Sequence, residues 1–93
     1  MLSTSGVEME LSAEGRVLND LINTIVASIV DSPLDVDTCI VESGSTVVVE
    51  LTVARDDVGK VIGRQGSMAR SLRTILSNAA TKLNRRSVLQ IIE

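Results

Sequence analysis

Residues 61–68 read VIGRQGSM. An apolar pair, Val61–Ile62, runs straight into two glycines three apart, with Arg64 and Gln65 between them. On the C-terminal side, Met68, Leu72, Ile75, Leu76, Ala79, Ala80 and Leu83 recur at helical spacing, so a helix is predicted from about Ser67. On the N-terminal side, Val58, Val61 and Ile62 form the inner side of a short helix that Asp56 or Asp57 can cap. Gly63-Arg64-Gln65-Gly66 is therefore read as a tight turn between two helices.

That position suits a phosphate. Glycine reaches backbone angles closed to other residues and lets a ligand's backbone come close. The first turn of the following helix leaves N–H groups unpaired and carries the positive end of the dipole. Arg64 adds a charge with several donors, and Gln65 both donates and accepts. Lys60, Ser67, Arg70 and Arg73 extend the polar, positive field beyond the turn. Two glycines three apart equally suit a plain helix–helix connection, so the surrounding chain must decide.

Further toward the N-terminus, TVVVELTV (46–53) alternates, with Val47, Val49, Leu51 and Val53 on one face and Thr46, Val48, Glu50 and Thr52 on the other. With VDTCIVE (36–42) and a Ser43-Gly44-Ser45 loop it reads as a hairpin. Before it, Leu18, Leu21, Ile22, Ile25 and Ile29 mark a helix over about 15–31, with Val17 and Val26 beside the stripe. Asp31-Ser32-Pro33 ends it, because the residue before a proline avoids the α region. Residues 1–15 are read as a flexible acidic tail. At the other end, SVLQII (87–92) is apolar and branched, a last strand. The order is α-β-β-α-α-β. A two-helix link makes the last strand a parallel neighbour of the second. The fold class is α+β, a three-stranded mixed sheet with three helices on one face, formed by residues 16–93.

Composition narrows the chemistry. The chain of 93 residues contains no Phe, Tyr, Trp or His. Base stacking on aromatic rings is excluded, and no imidazole base is available for catalysis. The net charge of −3 hides an uneven distribution. Residues 1–54 hold one cation against nine acids, whereas residues 55–93 hold eight cations against three acids. The turn lies in the basic half, where whole-chain charge conceals a local positive face. The single Cys39 has no internal disulfide partner, which fits a reducing, cytoplasmic setting. It is expected to be a small packed or half-buried residue. The N-terminus lacks the pattern of a signal peptide, and no stretch is long and apolar enough to span a bilayer.

In this setting VIGRQG resembles the KH signature, an apolar pair followed by GxxG, and the element order is that of a type II KH domain. DDVGKVIGRQGSMARSLRTIL (56–76) and IVDSPLDV (29–36) are similar to the small stand-alone bacterial KH-domain proteins of the KhpA type. The resemblance covers roughly residues 16–93. It implies a cytoplasmic RNA-binding protein without catalysis or cofactor, with Gly63, Arg64, Gln65 and Gly66 as the clamp on single-stranded RNA. It also implies self-association, or pairing with a larger KH-containing protein (KhpB, also called Jag or EloR). The associated role is that of an RNA chaperone or post-transcriptional regulator influencing cell division or envelope growth. Two departures are visible. Many KH domains carry a large aliphatic residue three positions after the second glycine, where this chain has Ala69 preceded by Met68, the pattern of the small bacterial type, and the acidic tail over 1–15 is longer than the resemblance implies.

Other functional classes find less support in the residues. The sequence GKVIGRQG lacks the spacing of a nucleotide-binding P-loop, and GxGxxG is absent. No cluster of metal ligands is visible, and Asp56–Asp57 reads as a helix start. The serious alternative is a protein-interaction or dimerisation module with little RNA binding of its own, since so small an aromatic-free domain gains stability by association.

Overall fold

A computed structural model of the chain describes residues 12–93. Helix α1 spans Ala13–Ile29, strand β1 Asp37–Ser43 and strand β2 Thr46–Thr52. Helix α2 spans Val58–Ile62, helix α3 Ser67–Lys82 and strand β3 Arg86–Ile92. The expected α-β-β-α-α-β order holds. Strand order is β1-β2-β3, antiparallel between β1 and β2 and parallel between β2 and β3. The hairpin turn is tighter than expected: Ser43 pairs with Thr46, and only Gly44 and Ser45 lie between them.

The alternating face of β2 forms the centre of the core. Val47, Val49 and Leu51 are fully buried beneath Leu18, Ile22 and Val26 of α1 and Leu72, Leu76 and Ala80 of α3. α2 contributes Val61 to the same cluster. The opposite sheet face carries Val41 and Val88, each nearly half exposed. Both are in register with the half-buried Val48.

Several local expectations are corrected. The buried stripe of α1 is Leu18, Ile22, Val26 and, just past the helix, Val30. Leu21, Ile25 and Ile29 are only partly covered, and Val17 is exposed. The one wide stripe expected over Leu18, Leu21, Ile22, Ile25 and Ile29 is narrower than the spacing implies, because packing on β2 buries only the residues at strict four-residue spacing, Val26 among them. On α3, Ala69 is buried and Ile75 exposed, because the stripe facing the sheet runs through 69, 72, 76 and 80. Cys39 is exposed, since odd-numbered residues of β1 point to the open sheet face.

α1 begins at Ala13 rather than near Gly15. The Ser12 hydroxyl accepts the Gly15 N–H at 2.9 Å, and Glu42 of β1 accepts from both the N–H and the hydroxyl of Ser12. Residues 12–15, expected in the tail, thus belong to the helix start, and the rest of that expected tail lies outside the described residues. Arg85, between α3 and β3, closes the group by pairing with Glu42 at 2.9 Å and Glu14 at 3.6 Å. No helix among the described residues is long and apolar enough to cross a membrane.

Candidate nucleic-acid interface

α2 is only five residues long and ends where Gly63 takes φ 78° and ψ 172°. This combination is open to glycine almost alone. Gln65 (φ 54°) and Gly66 (φ 77°) follow in the left-handed region, and regular helix resumes at Ser67. Two left-handed residues in succession turn the chain sharply enough to start α3 directly against α2. Inside the turn, the Gly63 N–H donates to Gly59 O at 2.8 Å and the Gly66 N–H to Gly63 O at 3.1 Å. The Ser67 N–H donates to Arg64 O. The side chains of Arg64 and Gln65 are left exposed at the tip.

Asp57 behaves differently from its expected role. It precedes α2, yet its side chain caps nothing. The carboxylate is buried and accepts the N–H groups of Asp31 and Ser32 at 3.1 and 3.0 Å. It ties the segment after α1 to the base of α2, and so fixes the platform from which the GRQG turn projects.

The predicted cations fall into distinct positions. Lys60, on α2, pairs with Asp31 at 3.5 Å, so its charge is partly engaged away from the tip. Arg70 turns back toward the loop and donates from Nη1 to Gln65 O at 2.8 Å. Arg73, one turn further along α3, reaches β3 and donates from Nη2 to Leu89 O at 3.4 Å. Among the described residues, Arg64, Arg70 and Arg73 form no ion pair; acids of the N-terminal half engage Lys60 and Arg85 instead. No carboxylate among the described residues is thus ion-paired with the three arginines at and beside the turn.

Two depressions lie along α3 beyond the turn. One, shallow and open, runs over Ser67, Arg70, Ser71, Thr74 and Ile75 on the first turns of α3. The other, of about 300 Å³, lies between α3 and edge strand β3 and is lined by Arg73, Leu76, Ser77, Ser87, Val88 and Leu89. Gly63, Arg64, Gln65, Gly66, Ser67 and Arg70 are thus contiguous, Arg73 lines the α3–β3 groove, and Lys60 is engaged with Asp31. The groove's lining from β3, Ser87, Val88 and Leu89, is not among the residues that the sequence singles out, and neither is Ser77 across from it on α3; the one signal for Ser77 is its spacing of seven from Arg70, which puts both on one polar flank of α3.

Comparison with known proteins agrees with this frame. Residues 19–91 match the family model described as KhpA/KhpB, KH domain. A protein named RNA-binding protein KhpA from Clostridium acetobutylicum is 43% identical over 75 residues, which is 81% of this chain and all of that protein. Proteins of the same name from Borreliella burgdorferi and Aquifex aeolicus are 43% and 42% identical, over 80% and 82% of this chain and 90% and 96% of theirs.

Proposed function

The chain belongs to the KhpA/KhpB family of KH domains, and from that premise we propose that it holds a short stretch of single-stranded RNA, about four nucleotides long. The observation that carries this reading is the exposed Arg64–Gln65 tip between two glycines, followed on α3 by Arg70 and Arg73, which form no ion pair among the described residues, with Arg73 lining the α3–β3 groove. Backbone phosphates meet the tip and the start of α3, where positive charge and helix dipole act together. The next bases enter the groove, where the exposed Val88 provides apolar contact and Ser77 and Ser87 provide hydroxyls. Phosphate contacts of this kind position a strand without specifying its sequence.

A site this small binds weakly on its own. A second site, supplied by another copy or by a larger KH-containing partner, raises affinity through effective concentration. In this reading the protein acts as an RNA chaperone or post-transcriptional regulator.

The test is fluorescence anisotropy with a mixed-sequence single-stranded RNA pool at two salt concentrations. Wild type is compared with Arg64→Asp/Gln65→Asp, with circular dichroism as the check on folding. Wild type should bind with a log–log salt slope of about −0.7 per phosphate neutralised, and the folded variant should lose binding. Equal binding by both would remove the turn from the interface. No binding by either, with wild type sedimenting as a dimer, would favour a dimerisation module.

A further inference from the structure

The GRQG turn contains one residue whose backbone conformation is costly. Gln65 is not a glycine, yet it sits at φ 54° and ψ 29°. L-residues visit this region reluctantly. It precedes Gly66, also left-handed, so the Gln65–Gly66 peptide lies between two left-handed residues, of which only Gln65 carries strain. That peptide is held from both sides. Its N–H donates to Gly63 O at 3.1 Å, and its carbonyl accepts from Arg70 Nη1 at 2.8 Å. The guanidinium also lies against Gly66, where an added Cβ would meet Nη1 at 3.4 Å.

We propose that Arg70 is the positioning residue of the loop: by holding the Gln65 carbonyl it locks the GRQG turn in its RNA-binding shape before RNA arrives. Two physical effects follow. A peptide tied at both ends cannot flip, so the directions of Arg64 and Gln65 at the tip are set in advance and less ordering is left for binding. A bare carbonyl beside a phosphate site would also repel the ligand, and the cation on Gln65 O cancels that dipole. An arginine suits this role, because a fork with five donors can hold the carbonyl and still present N–H groups outward. The charge of Arg70, read from the sequence as one more phosphate contact, thus acts first on the protein's own backbone.

The proposal rests on the RNA-binding reading for its consequence but not for its geometry, so the test has two readouts. In the RNA-free protein, solvent exchange of the Gly66 amide is measured by NMR for wild type, Arg70→Gln and Arg64→Gln. Arg70→Gln should speed this exchange roughly tenfold, as expected when a charge-assisted hydrogen bond is lost from a locally opening segment. Arg64→Gln should leave it unchanged. RNA affinity is then measured across a salt series. Loss of a phosphate contact fades as salt screens it, whereas the deficit of Arg70→Gln should persist at high salt, because a loosened loop must still be ordered. Unchanged Gly66 exchange in Arg70→Gln, or a deficit that vanishes at high salt, would overturn the proposal. Faster exchange with no RNA binding by wild type would uphold the latch and reject the RNA reading.

Discussion

Gly63 lies so close to the start of α3 that a Cβ placed on it would stand 2.6 Å from the backbone nitrogen of Met68. Gly66, three residues on, has nothing but the far end of the Arg70 side chain near the same position. The two glycines of the turn therefore do different things. Gly63 lets α2 and α3 meet, and Gly66 supplies a left-handed angle beside the exposed tip.

Alanine at the two positions should separate these roles. Gly63→Ala combines a backbone clash with a conformation open to glycine almost alone, and should cost at least about 2 kcal/mol. Gly66→Ala faces left-handed strain only, about 1–2 kcal/mol, and should remain folded with weakened RNA binding. Urea unfolding of both variants checks this; equal losses would mean that the contact with Met68 is relieved by a small shift of α3.

The framework of the site was legible in the sequence because it depends on local rules. The glycines, the apolar pair before them and the helical spacing after Ser67 lie within one short stretch, and the β2 alternation needs only its own residues. Long-range partners were not legible. Asp57 looks like a helix cap until the N–H groups of Asp31 and Ser32 come within reach across 26 and 25 residues. Ser12 starts α1 with Glu42 bound to it from 30 residues away. Ile75 and Leu76 are equally apolar in sequence, and only the position of the sheet decides which is buried.

That last pair gives a direct test of the α3 stripe. Leu76 is buried between helix and sheet, whereas Ile75 is 41% exposed. Leu76→Ala should cost about 2–5 kcal/mol, and Ile75→Ala clearly less. Thermal or urea denaturation reads the difference. Comparable losses would place Ile75 against something that α1, α2 and the sheet do not supply.

Asp57 should matter for stability rather than for contact with RNA. Asp57→Ala leaves two backbone N–H groups without an acceptor, at about 1–3 kcal/mol for each that stays buried. Under conditions where the variant is fully folded, the salt slope of RNA binding should match wild type, because no phosphate-facing charge is lost. A changed slope would show that Asp57 shapes the field at the tip, not only the base of α2.

Glu42 predicts a pH dependence at the opposite end of α3 from the turn. The backbone N–H of Ser12 holds the Glu42 carboxyl below its ordinary value, helped by the Ser12 hydroxyl and by Arg85 and opposed by partial burial. A carboxyl with a lowered folded-state pKa favours the folded protein in its ionised form. Its contribution is complete above the ordinary glutamate range and is lost as pH falls through that range toward the lowered value. Glu42→Gln keeps the shape but removes the charge that binds Ser12 and Arg85. The stability gap between wild type and variant should therefore be widest at neutral pH and shrink as pH falls through and below the ordinary glutamate range. Urea melts at a series of pH values measure the gap. A gap independent of pH would mean that the hydrogen-bonding geometry, not the charge, ties the start of α1 to β1. RNA binding at neutral pH should be unchanged in Glu42→Gln, because α3 separates this cluster from the GRQG turn by about 24 Å.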